Sequence, residues 1–81
     1  MTLEHNAPQL MQALVTRAEV RAGAPSTYLR LTEAGASDWT QDPRDATAFP
    51  SMREAARMAL RLPAALRAYG LPRDVEMKLA H

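Results

Sequence analysis

The chain has 81 residues, of which 47% are hydrophobic and 23% are charged, and its net charge is +1. This composition is that of an ordinary globular protein and argues against a disordered chain. The absence of cysteine excludes a disulfide framework, a thiolate metal site and a thiol nucleophile. No apolar run approaches the roughly 20 residues of a membrane span, and the first residues lack the pattern of a signal peptide. We therefore expect one cytoplasmic domain over residues 1–81, with residues 1–6 and 80–81 frayed.

The charge is unevenly distributed along the chain. Residues 1–50 carry four arginines and six acidic residues, a balance of −2, whereas residues 51–81 carry six basic and three acidic residues, a balance of +3. The net charge of the whole molecule does not indicate nucleic-acid binding.

The N-terminal region predicts a helix over about residues 7–22. Asn6 and Gln9 have the spacing of a capping box, and Gly23 supplies a stop signal. Apolar residues recur at helical spacing between these signals, at Leu10, Met11, Leu14, Val15, Ala18 and Ala22. A strand over residues 14–22 is the alternative, because apolar and polar residues also alternate there. The start and stop signals favour the helix.

A β-hairpin is predicted next. Residues 27–32 are β-branched and aromatic with a period of two, which indicates a strand with Leu29 and Leu31 facing inward. Residues 34–37 have the composition of a turn, and residues 39–41 fit a short returning strand. Two antiparallel strands joined by a loose loop follow from this pattern.

A capping box, Ser51 to Glu54, predicts the start of a central helix. One arc of this helix is apolar and is expected to face the sheet; it holds Met52, Ala55, Ala56, Ala59 and Leu62. Pro63 should break the helix at about Leu62, because proline removes a backbone hydrogen bond and clashes with the preceding turn.

The remaining residues predict a second short helix over about 63–69 and a last strand. Gly70 is the expected left-handed terminator of that helix. Residues 75–79 alternate between apolar and charged, with Val75, Met77 and Leu79 on one side, so we predict a short C-terminal strand.

These elements together predict an α+β fold with an N-terminal helix, an antiparallel hairpin, a helix broken at Pro63 and a short C-terminal strand. Most of the core should come from residues 10, 14, 15, 29, 31, 39, 49, 52, 55, 59, 62, 66 and 69.

The chain lacks recognisable catalytic or metal-binding chemistry. His5 and His81 lie near its ends, where the fixed geometry of a general base or a metal ligand is not expected. Asp38, Asp42 and Asp45 lack the alternate spacing and central glycine of a calcium loop, and they suit turn capping instead. We predict no enzymatic activity, no cofactor and no metal.

The run W-x-x-D-P-x-x-A-T-x-F-x-S-x-x-E-A, from Trp39 to Ala55, resembles a pattern of small uncharacterised bacterial and phage α+β proteins. The resemblance covers about residues 28–62 and implies a hairpin packed on a helix. It transfers no catalytic residue, cofactor or substrate.

Three arginines, Arg53, Arg57 and Arg61, form a row along one face of the central helix, and Arg67 extends this candidate partner-binding set. The leading interpretation is a non-enzymatic protein-binding module, either a small adaptor or an inhibitor of the kind that phages and mobile elements encode. The alternative is weak, non-specific nucleic-acid binding through Arg53, Arg57 and Arg61. The plain interpretation is a solvated helix surface.

Self-association is a further expectation. A core of this size leaves apolar surface uncovered, and the apolar arc of the predicted first helix is one candidate for it. The predicted last strand, if it is an open edge, could pair across a twofold axis. We therefore expect a homodimer.

Overall fold

The structure is a computed structural model that describes residues 12–19, 21 and 23–79. It contains a four-stranded antiparallel sheet with the order β3-β2-β1-β4. The strands are β1 (Ala13–Thr16), β2 (Tyr28–Leu31), β3 (Ser37–Thr40) and β4 (Tyr69–Pro72). The other elements are helix α1 (Met52–Arg61), a 3-10 turn (Ala64–Leu66) and helix α2 (Arg73–Leu79). The predicted α+β class is confirmed.

Strand β1 replaces the predicted helix over residues 7–22, which is wrong for residues 13–16. The alternative interpretation, a strand over residues 14–22, holds for residues 14–16, whereas residues 17–19 belong to no strand. All four residues of β1 are buried between β2 and β4. A strand buried on both faces has a continuous apolar run, which periodicity alone cannot distinguish from a helix. Residues 7–11 lie outside the described residues, as do the predicted frayed ends.

The predicted hairpin is confirmed in β2 and β3. Leu29 lies opposite Trp39 and is fully buried, as expected. Leu31 was expected to face the core, but it is 37% exposed. The reason is that β1 and β2 pair only at Thr16 and Tyr28 and then diverge, so the far end of β2 lies away from β1.

Residues 47–49, which we call the bridging segment, fill the space where β1 and β2 diverge. The backbone N–H of Thr47 donates to the carbonyl of Leu29 at 3.0 Å. Phe49 and Ala13 exchange two backbone hydrogen bonds, of 2.8 and 3.0 Å. The bridging segment thereby satisfies backbone groups that the short β1–β2 pairing leaves open.

Helix α1 begins and ends where its sequence signals predict. The Ser51 hydroxyl accepts a hydrogen bond from the Glu54 backbone N–H at 3.2 Å, which satisfies one of the unpaired donors of the first turn. The helix ends at Arg61, and Leu62 takes an extended conformation before Pro63. The predicted helix start at Ser51 and the predicted break are both confirmed, but the Glu54 carboxylate of the capping box pairs with Arg57.

Close packing joins α1 to the sheet. Gly70 of β4 lies against Ala55 of α1, and a Cβ atom added to Gly70 would be 3.0 Å from the Ala55 Cβ. Ala55, Ala13, Val15 and Leu29 form the fully buried cluster. Partly buried residues surround it, namely Trp39, Phe49, Met58, Ala59, Leu62 and Ala68. Small residues at the centre allow the helix to approach the strands closely.

The C-terminal part differs most from its prediction. The second helix is only the 3-10 turn, and Arg67, not Gly70, adopts the left-handed conformation, with φ 53° and ψ 48°. Gly70 belongs to β4, which is outermost among the described strands, next to β1. The Arg73 backbone N–H donates to the Gln12 carbonyl at 2.9 Å and continues this pairing.

Residues 75–79 are helical in α2, so the predicted C-terminal strand is wrong. Asp74 and Glu76 lie in the first turn of α2 and Lys78 lies in its last turn, an arrangement that complements the helix dipole. Five alternating residues fit either period, and this charge order is the signal that favours a helix. Residues 69–72 supply the strand beside β1 instead.

Helices α1 and α2 cover opposite faces of the sheet. Successive strand residues point to opposite faces. Leu29 packs in the cluster with Ala55 of α1, whereas its neighbour Tyr28 contacts Glu76 of α2. Of the other predicted core residues, Met52 and Tyr69 are exposed. No helix in the described part of the chain is long and apolar enough to cross a membrane.

Candidate partner-binding surface

The three predicted arginines of α1 lie on its outward side. Arg53, Arg57 and Arg61 are all exposed, as expected from an inward side that is formed by Ala55 and its neighbours. Their spacing places them along about 12 Å of helix. Arg57 forms an exposed ion pair with Glu54 at 3.5 Å. Such a pair is worth little in water, so Arg57 can exchange it for another anionic partner.

A second row, of apolar residues, lies beside the arginines. Met52, Ala56 and Leu60 are all exposed, and each precedes one of the arginines by one residue. Leu60 is 86% exposed. Placing Met52 and Ala56 on the buried arc was therefore wrong, because the sheet contacts the helix along the Ala55 side only. We call the six residues of the two rows the α1 outer face.

The exposure of Leu60 in the apolar row follows from a pattern in the sequence that the predicted core does not take into account. At about 100° per residue, Leu60 lies roughly 140° around the helix from Ala55. A leucine so far from the buried alanine cannot reach the sheet. Its position could therefore have been derived from the helix period alone.

Arg67 does not belong to the α1 outer face. It follows the 3-10 turn, and its backbone N–H donates to the Ala64 carbonyl at 3.0 Å. Its side chain is exposed. Its left-handed backbone is what turns the chain into β4, a conformation that costs a non-glycine residue about 1–2 kcal/mol. The structure thus gives Arg67 a position in the connection rather than in the arginine row.

A groove of about 480 Å³ lies on the other side of the sheet, where β2, the turn after β3 and α2 meet. Its lining includes Pro25, Ser26, Tyr28, Pro43 and Glu76. The Tyr28 hydroxyl donates to Glu76 Oε1 at 2.5 Å. Burial, together with this carboxylate, raises the pKa of Tyr28 to about 12. No local sequence pattern indicates this contact, because the two residues are 48 positions apart.

Asp42 and Arg44 line the same groove. Asp42 Oδ1 accepts from the Arg44 backbone N–H at 2.9 Å and from Arg44 Nε at 3.1 Å. Asp42 Oδ2 accepts from a terminal nitrogen of the same guanidinium at 3.2 Å. These bonds, with the guanidinium contribution larger, lower the pKa of the Asp42 carboxyl. The predicted capping role of Asp42 at this turn is confirmed.

The half-buried Trp39 ring is covered by the guanidinium of Arg17, 4.6 Å from the ring centroid, in a cation–π arrangement. Within residues 12–19, 21 and 23–79, no three His, Cys, Asp or Glu side chains cluster so that they could hold a metal ion.

Comparison of the chain with family models, with curated proteins and with solved structures found no match. The resemblance of residues 28–62 to small bacterial and phage proteins stays a prediction.

Proposed function

We propose that this protein is a non-enzymatic protein-binding module, an adaptor or inhibitor, that contacts its partner through the α1 outer face. The observation that carries the proposal is the pairing of an apolar row with an arginine row on one exposed helix surface. Protein interfaces combine an apolar centre with a polar rim, and arginine is enriched in them. The complementary partner presents an apolar patch bordered by carboxylates.

Leu60 distinguishes a protein partner from nucleic acid. Burying a leucine side chain against an apolar surface contributes about 1.5–3 kcal/mol. Phosphate groups gain from the arginines but nothing from the leucine. We therefore expect Leu60→Ser to weaken binding to a protein partner by about ten- to a hundredfold. Because Leu60 is 86% exposed in the free protein, the substitution should leave the fold intact.

The experiment is capture of partners from a lysate of the native organism, followed by mass spectrometry. The wild type is compared with Leu60→Ser and with a triple variant in which Arg53, Arg57 and Arg61 become glutamine. A second triple variant, with the exposed residues Arg21, Arg30 and Lys78 changed to glutamine, loses the same number of positive charges outside α1. We expect one partner to be captured by the wild type and by this control, and to be lost from both α1 variants.

Retention of the same partner by both α1 variants would place the binding surface elsewhere. The nucleic-acid alternative has its own arm, a titration of duplex DNA at low and moderate salt. Three results together would favour that alternative. DNA affinity would survive Leu60→Ser and be lost in the α1 triple variant. The logarithm of the binding constant would fall with the logarithm of the salt concentration, with a slope of about −0.9 for each phosphate neutralised.

A further inference from the structure

The groove beside α2 is assembled from three separate parts of the chain. Ser26 precedes β2 and Tyr28 begins it, Asp42 and Arg44 come from the turn after β3, and Glu76 comes from α2. A volume of about 480 Å³ is within the usual range of small-ligand sites, about 300–1,000 Å³. The α1 outer face contributes no residue to the groove, so the two surfaces can be tested independently.

The charges in the groove favour a cation. Asp42 and Arg44 neutralise each other through two hydrogen bonds from the guanidinium to the carboxylate. Glu76 takes part in none of the ion pairs formed among the described residues. Its carboxylate accepts the Tyr28 hydroxyl at Oε1, and a carboxylate offers about four acceptor positions in all. Glu76 therefore supplies a negative charge that is held in place and still able to accept hydrogen bonds.

The walls around Glu76 favour an organic cation over a small inorganic one. Pro25, Pro43 and Tyr28 line the groove, and their side chains are mostly apolar. A metal ion would need several oxygen ligands, and the one other carboxylate that lines the groove, Asp42, is occupied by Arg44. An ammonium group on an alkyl body matches both parts of the groove, because it donates three hydrogen bonds and its chain can contact the proline and tyrosine surfaces.

We infer that the groove binds an alkylammonium group, with Glu76 as its counter-ion and Tyr28 holding that carboxylate in position. The same chemistry is available from a free organic amine and from the lysine side chain of another protein. A free amine can enter the groove as a whole molecule, whereas a lysine side chain can enter only if the groove entrance also leaves room for its peptide backbone.

The test is a titration of the full chain, followed through the backbone amide signals of Ser26, Tyr28, Gln41 and Arg44 by NMR. The probes are n-butylammonium, the uncharged n-butanol, the anion butyrate, and lysine capped at its α-amino and α-carboxyl groups so that only the ε-ammonium is charged. We expect n-butylammonium to bind with a dissociation constant in the millimolar range, as suits a ligand of about five heavy atoms. Butanol and butyrate should bind at least about tenfold more weakly.

Capped lysine separates the two sources of the ammonium group. Affinity equal to that of n-butylammonium would assign the groove to a lysine side chain, and much weaker affinity would assign it to free amines. The variant Glu76→Gln should lose at least about tenfold in n-butylammonium affinity. Glu19→Gln, a change of an exposed residue outside the groove, should bind as the wild type does.

Two outcomes would overturn the inference. One is equal binding of n-butylammonium, butanol and butyrate to the wild type, which needs no variant and so does not depend on whether Glu76→Gln folds. The other is wild-type affinity in folded Glu76→Gln. Leu60→Ser should bind n-butylammonium normally, so failure at this groove is distinguishable from failure of the α1 outer face.

Discussion

Gly70 is a single residue on which the contact between helix and sheet depends. A methyl group at this position would lie 3.0 Å from the Ala55 Cβ, and Ala55 is itself fully buried. Overpacking of this kind typically costs about 1–3 kcal/mol. We expect Gly70→Ala to lower the free energy of unfolding by about that amount, measured by urea denaturation.

A matched double variant identifies the cause. Ala55→Gly combined with Gly70→Ala moves the methyl group across the contact and restores the volume. The double variant should regain the unfolding free energy that Gly70→Ala loses to overpacking, apart from a penalty of about 1 kcal/mol for glycine inside a helix. If the two changes were merely additive, the close approach would not be the source of the loss.

Ionisation of Tyr28 should lower the free energy of unfolding at alkaline pH. Its pKa is about 12 in the folded protein and about 10 in the unfolded chain, so folding favours the neutral phenol. This contribution is complete below pH 10 and is lost as the pH rises through 12. Tyr28→Phe should remove this part of the decline in unfolding free energy between pH 10 and 12.

At neutral pH, Tyr28→Phe should also cost about 1.5 kcal/mol, because it removes a hydrogen bond to a carboxylate. Tyr69→Phe is the matched control for the loss at pH 7, since Tyr69 is 53% exposed. Urea denaturation of both variants at pH 7 and at pH 11 checks both effects. An identical pH profile in Tyr28→Phe and the wild type would contradict the assignment of the alkaline slope to Tyr28.

At the scale of elements, the cap of α1 is a local feature that can be tested by itself. Replacing Ser51 by alanine leaves the Glu54 N–H without its side-chain acceptor and should destabilise the protein by about 1 kcal/mol. Ser37→Ala, at an exposed position outside the helices, should change the unfolding free energy by less than about 0.5 kcal/mol. Thermal unfolding followed by circular dichroism distinguishes the two.

The bridging segment depends on the side chain of Phe49 as well as on its backbone. Phenylalanine-to-alanine changes in cores cost about 3–5 kcal/mol. Because Phe49 is half-buried rather than fully enclosed, we expect Phe49→Ala to cost about 3 kcal/mol, the lower end of that range. A melting temperature close to that of the wild type would refute its packing against the core.

Elements with local signals were predictable from the sequence, whereas elements defined by distant pairing were not. Helix α1 has its cap and its proline within a few residues, and the hairpin has adjacent strands. Strand β1 is a strand because β2 and β4 lie on either side of it, which no nearby residue specifies. The arginine row likewise follows from the helix period, but the groove requires Glu76 to meet Tyr28 across the fold.

For the whole molecule, the two reasons for expecting a homodimer rested on elements that the structure forms differently. Leu14 and Val15 are buried in β1, and residues 75–79 are helical. The homodimer stays a prediction, and sedimentation equilibrium checks it by distinguishing 8.9 kDa from twice that mass. A dimer that is lost in Leu60→Ser would assign the α1 outer face to self-association.

The pairing of β4 with β1 has a consequence for fibril formation. In an antiparallel pair, successive residues direct their backbone N–H and C=O groups alternately toward the partner strand and away from it. Because the Arg73 N–H bonds to Gln12, the backbone groups of Tyr69 and Leu71 also point toward β1. Those of Gly70 and Pro72 point outward. Proline has no N–H, which leaves Gly70 as the sole outward donor within β4. A free strand arriving at this edge finds too few partners to extend the sheet, so the folded protein is poorly suited to seed cross-β growth along β4.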